Sequence, residues 1–358
     1  MDKARLGIVG SGFVASIHAE SIRKHAPEIE IVAVASPTKA ERFAKEHSIP
    51  HAFTDYRSLI ELPQVEIVLL AVPNDLHCQM AVDAFAAGKH VVCEKPLALN
   101  LSQADQMIEA GKNAKKHLFY AEELLFAPKY VRAKQLADSG ALGDVFLVKQ
   151  WEEHDGPHEP WFWDVSRSGG GVLMDMGCHS IEYGRWALGR PRVKSVSATL
   201  GIYVHREKTR GDDHSIVVIE YENGAVSVAE NSWAKPGGVD DRVEIYGSKG
   251  NLRADLLRGS SILTFSEVGY DYAVEKAGRT QGWTFAIYEE AWNYGFPQEM
   301  SHFARCVRGL EEPIVTGEDG REVLKIIVAA YQSAREGRRI EWPYDPPAFE
   351  RPIDLWLG

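Results

Sequence analysis

The chain predicts two folding units. Residues 1–122 read as a doubly wound α/β domain on a parallel sheet, and residues 123–358 as an α+β domain with a large, open, mostly antiparallel sheet. Three observations carry this. Strand-like and helix-like segments alternate regularly through the first unit, which implies right-handed crossovers. A glycine-rich turn follows the first strand directly. Past Ala141 the texture changes to strand-like runs joined by turn signals such as Glu222-Asn223-Gly224 and Gly247-Ser248-Lys249-Gly250. The length, 358 residues, suits two units of roughly 100–200 residues each.

In chain order, residues 5–9 form a short apolar strand, 13–25 a helix, 30–35 (EIVAVA) a strand and 39–47 a helix. Residues 65–72 (VEIVLLAV) are almost continuously apolar, as in a strand buried on both faces. A helix follows over 75–87, stopped by Gly88. Then come strand 90–93, helix 102–115 and strand 118–120. In the second unit the strands are 145–151, 195–204, 215–221, 225–233 and 242–246, accompanied by helices 172–188 and 318–335.

Composition narrows the function. Hydrophobic residues are 45% and charged residues 25% of the chain, ordinary for a globular protein. Lys plus Arg is 40 against 51 Asp plus Glu, a net charge of −11. That argues against a nucleic-acid binder, which needs a basic surface to displace counterions. No apolar run approaches the ~18 residues of a membrane helix. The start, MDKARLGIVG, enters a strand at once, and Cys78, Cys93, Cys178 and Cys306 form no CxxC pair. The expectation is a reduced, cytoplasmic chain without membrane or nucleic-acid partners.

Strand one runs into Gly10-Ser11-Gly12-Phe13-Val14-Ala15 and then a helix. Gly10 permits the tight turn, and Gly12 lets backbone approach a pyrophosphate. The helix that opens at Phe13 and Val14 supplies free N–H groups and a partial positive charge. This is a Rossmann-like dinucleotide cradle. At the end of strand two stands Ser36-Pro37-Thr38-Lys39, with no carboxylate to repel a 2′-phosphate. Ser36, Thr38 and Lys39 lean toward NADP, although neutral sites also take NAD. Two more segments lie at strand ends, where ligands bind in open α/β sheets: Pro73-Asn74-Asp75-Leu76-His77 and Glu94-Lys95-Pro96. Pro73, Asn74, His77 and Glu94 are expected to line the cofactor site. Lys95 is expected to face the crevice, where its charge can stabilise a developing alkoxide.

The most informative stretch is Gly169-Gly170-Gly171-Val172-Leu173-Met174-Asp175-Met176-Gly177-Cys178-His179. Asp175 and His179 are four apart, hence on one face of the expected helix, with Glu182 beside them. A carboxylate beside an imidazole can orient it as a general base.

With GSGFVA, PNDLH, EKP and GGGVLMDMGCH in this order, the chain resembles the Gfo/Idh/MocA family of oxidoreductases over nearly its whole length. The resemblance implies Lys95, Asp175 and His179 as the catalytic set. His179 would be the acid/base, Asp175 would orient it and touch substrate, and Lys95 would bond the reacting hydroxyl near the nicotinamide. It also implies a cis Lys95-Pro96 bond. Where many members carry Asn and Arg after the sixth strand, this chain has Glu122-Glu123, expected to make contacts particular to its subgroup.

Trp151-Glu152-Glu153-His154-Asp155-Gly156-Pro157-His158 and Trp161-Phe162-Trp163-Asp164 form a polar and aromatic loop suited to a polyol. With Glu123, the pocket candidates are His154, Asp155, His158, Trp163 and Asp164. Glu153, His154, Asp155 and His158 could also hold a metal, but hydride transfer to a nicotinamide needs none. The expectation is an NAD- or NADP-dependent dehydrogenase of a secondary hydroxyl on a sugar, glycoside or cyclitol. It would be a homodimer or homotetramer joined through the open sheet. Two alternatives stand beside it: a redox-neutral enzyme that cleaves glycosides by transient oxidation, and a non-catalytic nucleotide sensor.

Overall fold

The computed structural model describes residues 2–257, 262–266, 281–286 and 289–358. Six strands make the first sheet: β1 (Ala4–Val9), β2 (Ile29–Ala35), β3 (His51–Phe53), β4 (Ile67–Leu70), β5 (His90–Cys93) and β6 (Leu118–Tyr120). Their order is β3-β2-β1-β4-β5-β6, with every neighbour parallel. Leu6, Ile8, Ile67, Val68, Leu69, Leu70, Val91 and Val92 are fully buried because helices cover both faces. The order turns back between β1 and β4, so the crevice opens beyond the ends of those strands. β3 and the short helix Tyr56–Ile60 were not expected from periodicity. Each is only a few residues long, below the span in which a repeat is visible.

The second sheet contains β7 (Val145–Glu153), β8 (Val193–Gly201), β9 (His214–Tyr221), β10 (Val226–Ser232), β11 (Asp240–Gly247), β12 (Gly250–Asp255) and β15 (Ile340–Glu341). Strands β13 (Ile262–Ser266) and β14 (Gly282–Ala286) pair apart as a ribbon. The large sheet runs β12-β11-β7-β10-β9-β8-β15. It is antiparallel except for β7 beside β10. The meander expected from the turn signals is therefore interrupted, with β7 inserted between β11 and β10. Helices Gly177–Ala187 and Gly317–Glu336 pack on one face. Leu147, Trp151, Ile216, Val218, Val226 and Val228 lie half-buried on the other.

The helix expected over 172–188 is two helices, Val172–Asp175 and Gly177–Ala187, jointed at Met176. At the joint His179 N–H donates to Met176 O, three residues back, at 3.1 Å. This tighter turn breaks the i,i+4 relation between Asp175 and His179. The glycines before it serve packing: a Cβ on Gly171 would lie 1.9 Å from Asp212 O. Helices Pro128–Asp138 and Phe296–Val307 were also unexpected. The latter packs against helix Phe13–His25, so a late segment of the chain braces the first unit.

Candidate active site

A cleft of about 1520 Å³ runs from the turn after β1 to the inner face of the second sheet. That exceeds the usual range of small-molecule sites, roughly 300–1,000 Å³, and leaves room for a dinucleotide and a second molecule. Its first half is lined by Gly10, Gly12, Phe13, Val14, Ser36, Thr38, Lys39, Pro73, Asn74, Glu94 and Lys95.

The residues fit a dinucleotide on two counts. Gly10 has φ +119°, and a Cβ there would lie 1.9 Å from Ala71 O, so only glycine makes this turn. Helix Phe13–His25 begins without a side-chain cap of its own. The Phe13 N–H instead donates to Glu159 Oε1 at 3.1 Å, a carboxylate reaching over from the second unit. His158 stacks on the Phe13 ring at 4.2 Å. The helix start thus already receives an anionic oxygen, the kind of group a phosphate would present. At the other end of the cradle Ser36 Oγ lies 2.7 Å from Ser11 Oγ. Arg57 joins Lys39 in the lining there, and Asp55 is also present, its Oδ1 accepting from Arg57 N at 3.0 Å.

Beyond β4 and β5 the cleft reaches its chemistry. The Lys95-Pro96 bond is cis. Lys95 Nζ donates to Asp175 Oδ1 and to Asp175 O, both at 3.0 Å. Burial is the largest single effect and lowers the lysine, but the charges of Asp175, Cys178, Glu123 and Glu152 together outweigh it and hold Lys95 well above its usual range. Burial likewise disfavours the Asp175 carboxylate, yet Lys95 and then His154 keep it low. Trp233 Nε1 donates to Asp175 Oδ2 at 3.1 Å. Asp175 therefore serves Lys95, and the expectation that it orients His179 is corrected.

The carboxylate that meets His179 is Glu122, whose Oε1 lies 2.6 Å from Nδ1. Both side chains are buried. Burial pushes Glu122 well above the usual carboxylate range, and the nearby Glu182 charge adds to this. Burial also lowers His179 to about 4, against the pull of Glu123. The imidazole's other nitrogen, Nε2, is 3.8 Å from Glu123 Oε1. Burial raises Glu123 to about 7.

Glu123, His154, His158, Asp175 and His179 all line the cleft as expected. Five other expectations are corrected. His77 is buried with its two ring nitrogens 3.0 Å from Pro96 O and 2.9 Å from Val72 O, so it ties strand-end loops together outside the cleft lining. Asp155 faces solvent. Trp163 packs behind the site on Trp233 and His205. Asp164 caps a short helix by accepting from Ser166 N at 2.9 Å. Glu182 points away from the cleft to Arg185 and Arg190. Asn74 stays in the lining, but its Nδ2 donates to Ser168 O at 2.8 Å.

In the loop of Glu153, His154, Asp155 and His158, Glu153 is bonded by Lys235 Nζ and Asp155 is exposed. Among the described residues, Glu122, Cys178 and His179 are the one trio spaced to share an ion. There the Cys178 thiol donates to Asp175 O at 2.9 Å, and burial pushes it up, away from the thiolate a metal needs.

Cleft residues missed from sequence include Asp55, Arg57, Glu152, Glu159, Trp161 and Phe162. Glu152 was recoverable: period-two alternation puts it with Val148 and Gln150 on the buried face of β7.

Cleft and sheets together define a dinucleotide-dependent oxidoreductase, and the comparisons agree. Residues 4–122 match the family described as "Oxidoreductase family, NAD-binding Rossmann fold", and residues 130–253 match the "GFO/IDH/MocA C-terminal domain". The chain belongs to the Gfo/Idh/MocA oxidoreductases. It is 29% identical over 342 residues to myo-inositol 2-dehydrogenase of Thermotoga maritima, covering 94% of this chain and 98% of that one. It is 28% identical over 343 residues to scyllo-inositol 2-dehydrogenase (NAD(+)) of Bacillus subtilis, covering 95% and 96%. Among solved structures, GenD2 from gentamicin A biosynthesis, in complex with NAD, superposes with a TM-score of 0.89 at 29% identity, covering 96% and 97%. No helix among the described residues is long and apolar enough to cross a membrane.

Proposed function

We propose that the protein is an NAD(P)-dependent dehydrogenase acting on a secondary hydroxyl of a sugar, glycoside or cyclitol, with Lys95, Asp175 and His179 as its working groups. The observation that carries this is the His179 ring, fixed through Nδ1 by Glu122 while it lines the same cleft as the Lys95–Asp175 pair. A dinucleotide held by Gly10, Gly12 and the start of helix Phe13–His25 would supply a hydride acceptor for the carbinol carbon. His179 Nε2 takes the hydroxyl proton as the carbonyl forms. The Nδ1 proton can pass to Glu122, whose raised proton affinity suits it as the final acceptor, so the pair ends neutral in a buried place. The Lys95 ammonium, held charged by Asp175, stabilises the partial alkoxide. The reverse reduction uses the same groups.

The family description and the inositol dehydrogenases of T. maritima and B. subtilis support the cyclitol and sugar class. The cofactor is of the NAD type. Lys39 and Arg57 beside Ser36 would also tolerate a 2′-phosphate. Residues 1–122 would bind the cofactor, and the half-apolar open face of the second sheet would join copies of the chain. A steady-state screen of NAD+ and NADP+ against sugars, glycosides and inositols tests the reading. Stoichiometric reduced cofactor with at least one polyol, lost in His179→Ala, is expected. Polyol turnover that survives His179→Ala would refute the assigned chemistry.

A further inference from the structure

Resting on the dehydrogenase reading, we propose that the polyol taken by this cleft carries an ammonium substituent, as in an amino sugar or aminocyclitol, held by the carboxylates of Glu123 and Glu152. Of the acidic groups lining the chemical end of the cleft, Glu94 is bonded to His18 at 2.6 Å and Asp175 to Lys95 at 3.0 Å. Among the described residues, neither Glu123 nor Glu152 has a partner that close. Glu123 Oε1 lies 3.8 Å from His179 Nε2, and the Lys95 charge also bears on it. Glu152 is 5% exposed, lines the cleft, and has Oε2 buried with no hydrogen-bond partner among the described residues.

Native proteins seldom leave a buried carboxyl unanswered, because its desolvation goes uncompensated. Glu152 lines the cleft, and among the described residues no hydrogen-bond partner reaches its Oε2. Across the sheet, Glu152 is registered opposite Asp241 of β11, itself buried and bonded by the Tyr130 hydroxyl. The Asp241, Glu123 and Glu122 charges also bear on Glu152, and the Lys95 charge opposes them. Glu123 feels His179, Glu122, Glu94 and Lys95, and the buried Glu299 feels Glu123 in turn. Burial and these like charges push Glu123 to about 7 and Glu152 well above its ordinary range. That upward push favours the protonated Glu152 carboxyl before substrate arrives. An entering R–NH3+ converts it to a carboxylate: Glu152–COOH plus R–NH3+ gives the bound ion pair and one H+ released to solvent. A neutral polyol gains no charge-assisted bond there.

The test compares D-glucosamine, kanosamine and scyllo-inosamine with D-glucose, N-acetyl-D-glucosamine and myo-inositol. It reads kcat/KM with NAD+ or NADP+. Calorimetric binding to the cofactor-loaded protein, in buffers of different ionisation heat, counts released protons. At least one ammonium-bearing polyol should be preferred over its neutral counterparts by about tenfold or more, with proton release near pH 7. Glu152→Gln should collapse that preference. Turnover of neutral polyols with no preference for the amino compounds, or amino-sugar binding without proton release, would overturn the inference and leave the dehydrogenase reading standing. The proton count is taken on the wild-type protein, so it decides even if Glu152→Gln fails to fold. No reduction of cofactor by either kind of polyol would overturn both.

Discussion

Glu122→Gln isolates the buried partner of His179. Glutamine keeps the shape and can still accept from Nδ1, so the ring stays in place. The change removes the negative charge and the final proton acceptor. With Nδ1 and Oε1 2.6 Å apart, the centres of charge in an imidazolium–carboxylate pair are roughly 4 Å apart. At an effective dielectric of about 20 that attraction is about 4 kcal/mol. An amide dipole recovers part of it, leaving a loss of about 3 kcal/mol in the transition state, or somewhat over a hundredfold in kcat. KM should move little, because Glu122 does not line the cleft. The pH profile supplies the sharper readout. Oxidation needs the pair in its proton-accepting form, so the rate falls on the acid side. In the wild type that limb is set by a pair containing Glu122, raised by burial. In the variant only the imidazole remains, lowered by burial to about 4, so the limb should move to lower pH. The assay is initial-rate cofactor reduction across pH, with cofactor affinity checked separately. An unchanged kcat and an unmoved acid limb would refute Glu122 as the positioning and proton-accepting partner.

Three other outcomes are expected. Lys39→Glu should weaken NADP+ binding about tenfold or more and leave NAD+ nearly unchanged in a fluorescence titration; equal losses would contradict a 2′-phosphate contact. Glu159→Gln should tighten NAD+ binding about two- to fivefold. The carboxylate now on the Phe13 N–H competes with phosphate for a helix start worth about 0.3–1 kcal/mol, and weaker binding would contradict this. Glu66, bonded by Arg308 at 2.9 Å on both oxygens, is held down to about 2 by that bond despite some burial. A depressed folded-state value gives stability that is present above the ordinary carboxylate range and fades as pH falls toward 2. Allowing for solvent screening, Arg308→Ala should cost about 1 kcal/mol near neutrality and almost nothing near pH 2. A Tm difference that persists in acid would contradict this.

Much of the architecture was legible because its signals are local. The glycine turn after β1 and the apolar run of β4 each declare themselves within a few residues. The Lys95 and His179 segments were legible through their order along the chain. What failed was geometry that periodicity does not carry. The 175–179 spacing looks helical, but the joint at Met176 turns Asp175 toward Lys95 and leaves His179 to Glu122. Glu122 was noticed as a departure from the family pattern, but its partner lies 57 residues away. His77 looked like a strand-end ligand, yet its two nitrogens lie against carbonyls of two loops, at 3.0 and 2.9 Å. Asp164 had a cap's position beside Ser166, a local signal that was available and unused.

The central claim is that His179 Nε2 and Lys95 Nζ converge on one substrate hydroxyl. A crystal structure of the protein with NAD+ and a turned-over polyol measures this directly. The account predicts that hydroxyl oxygen within hydrogen-bond reach, about 2.6–3.2 Å, of both atoms, with its carbon facing the nicotinamide. A polyol seated with its nearest hydroxyl beyond reach of His179, or with Lys95 turned from it toward solvent, would contradict the account.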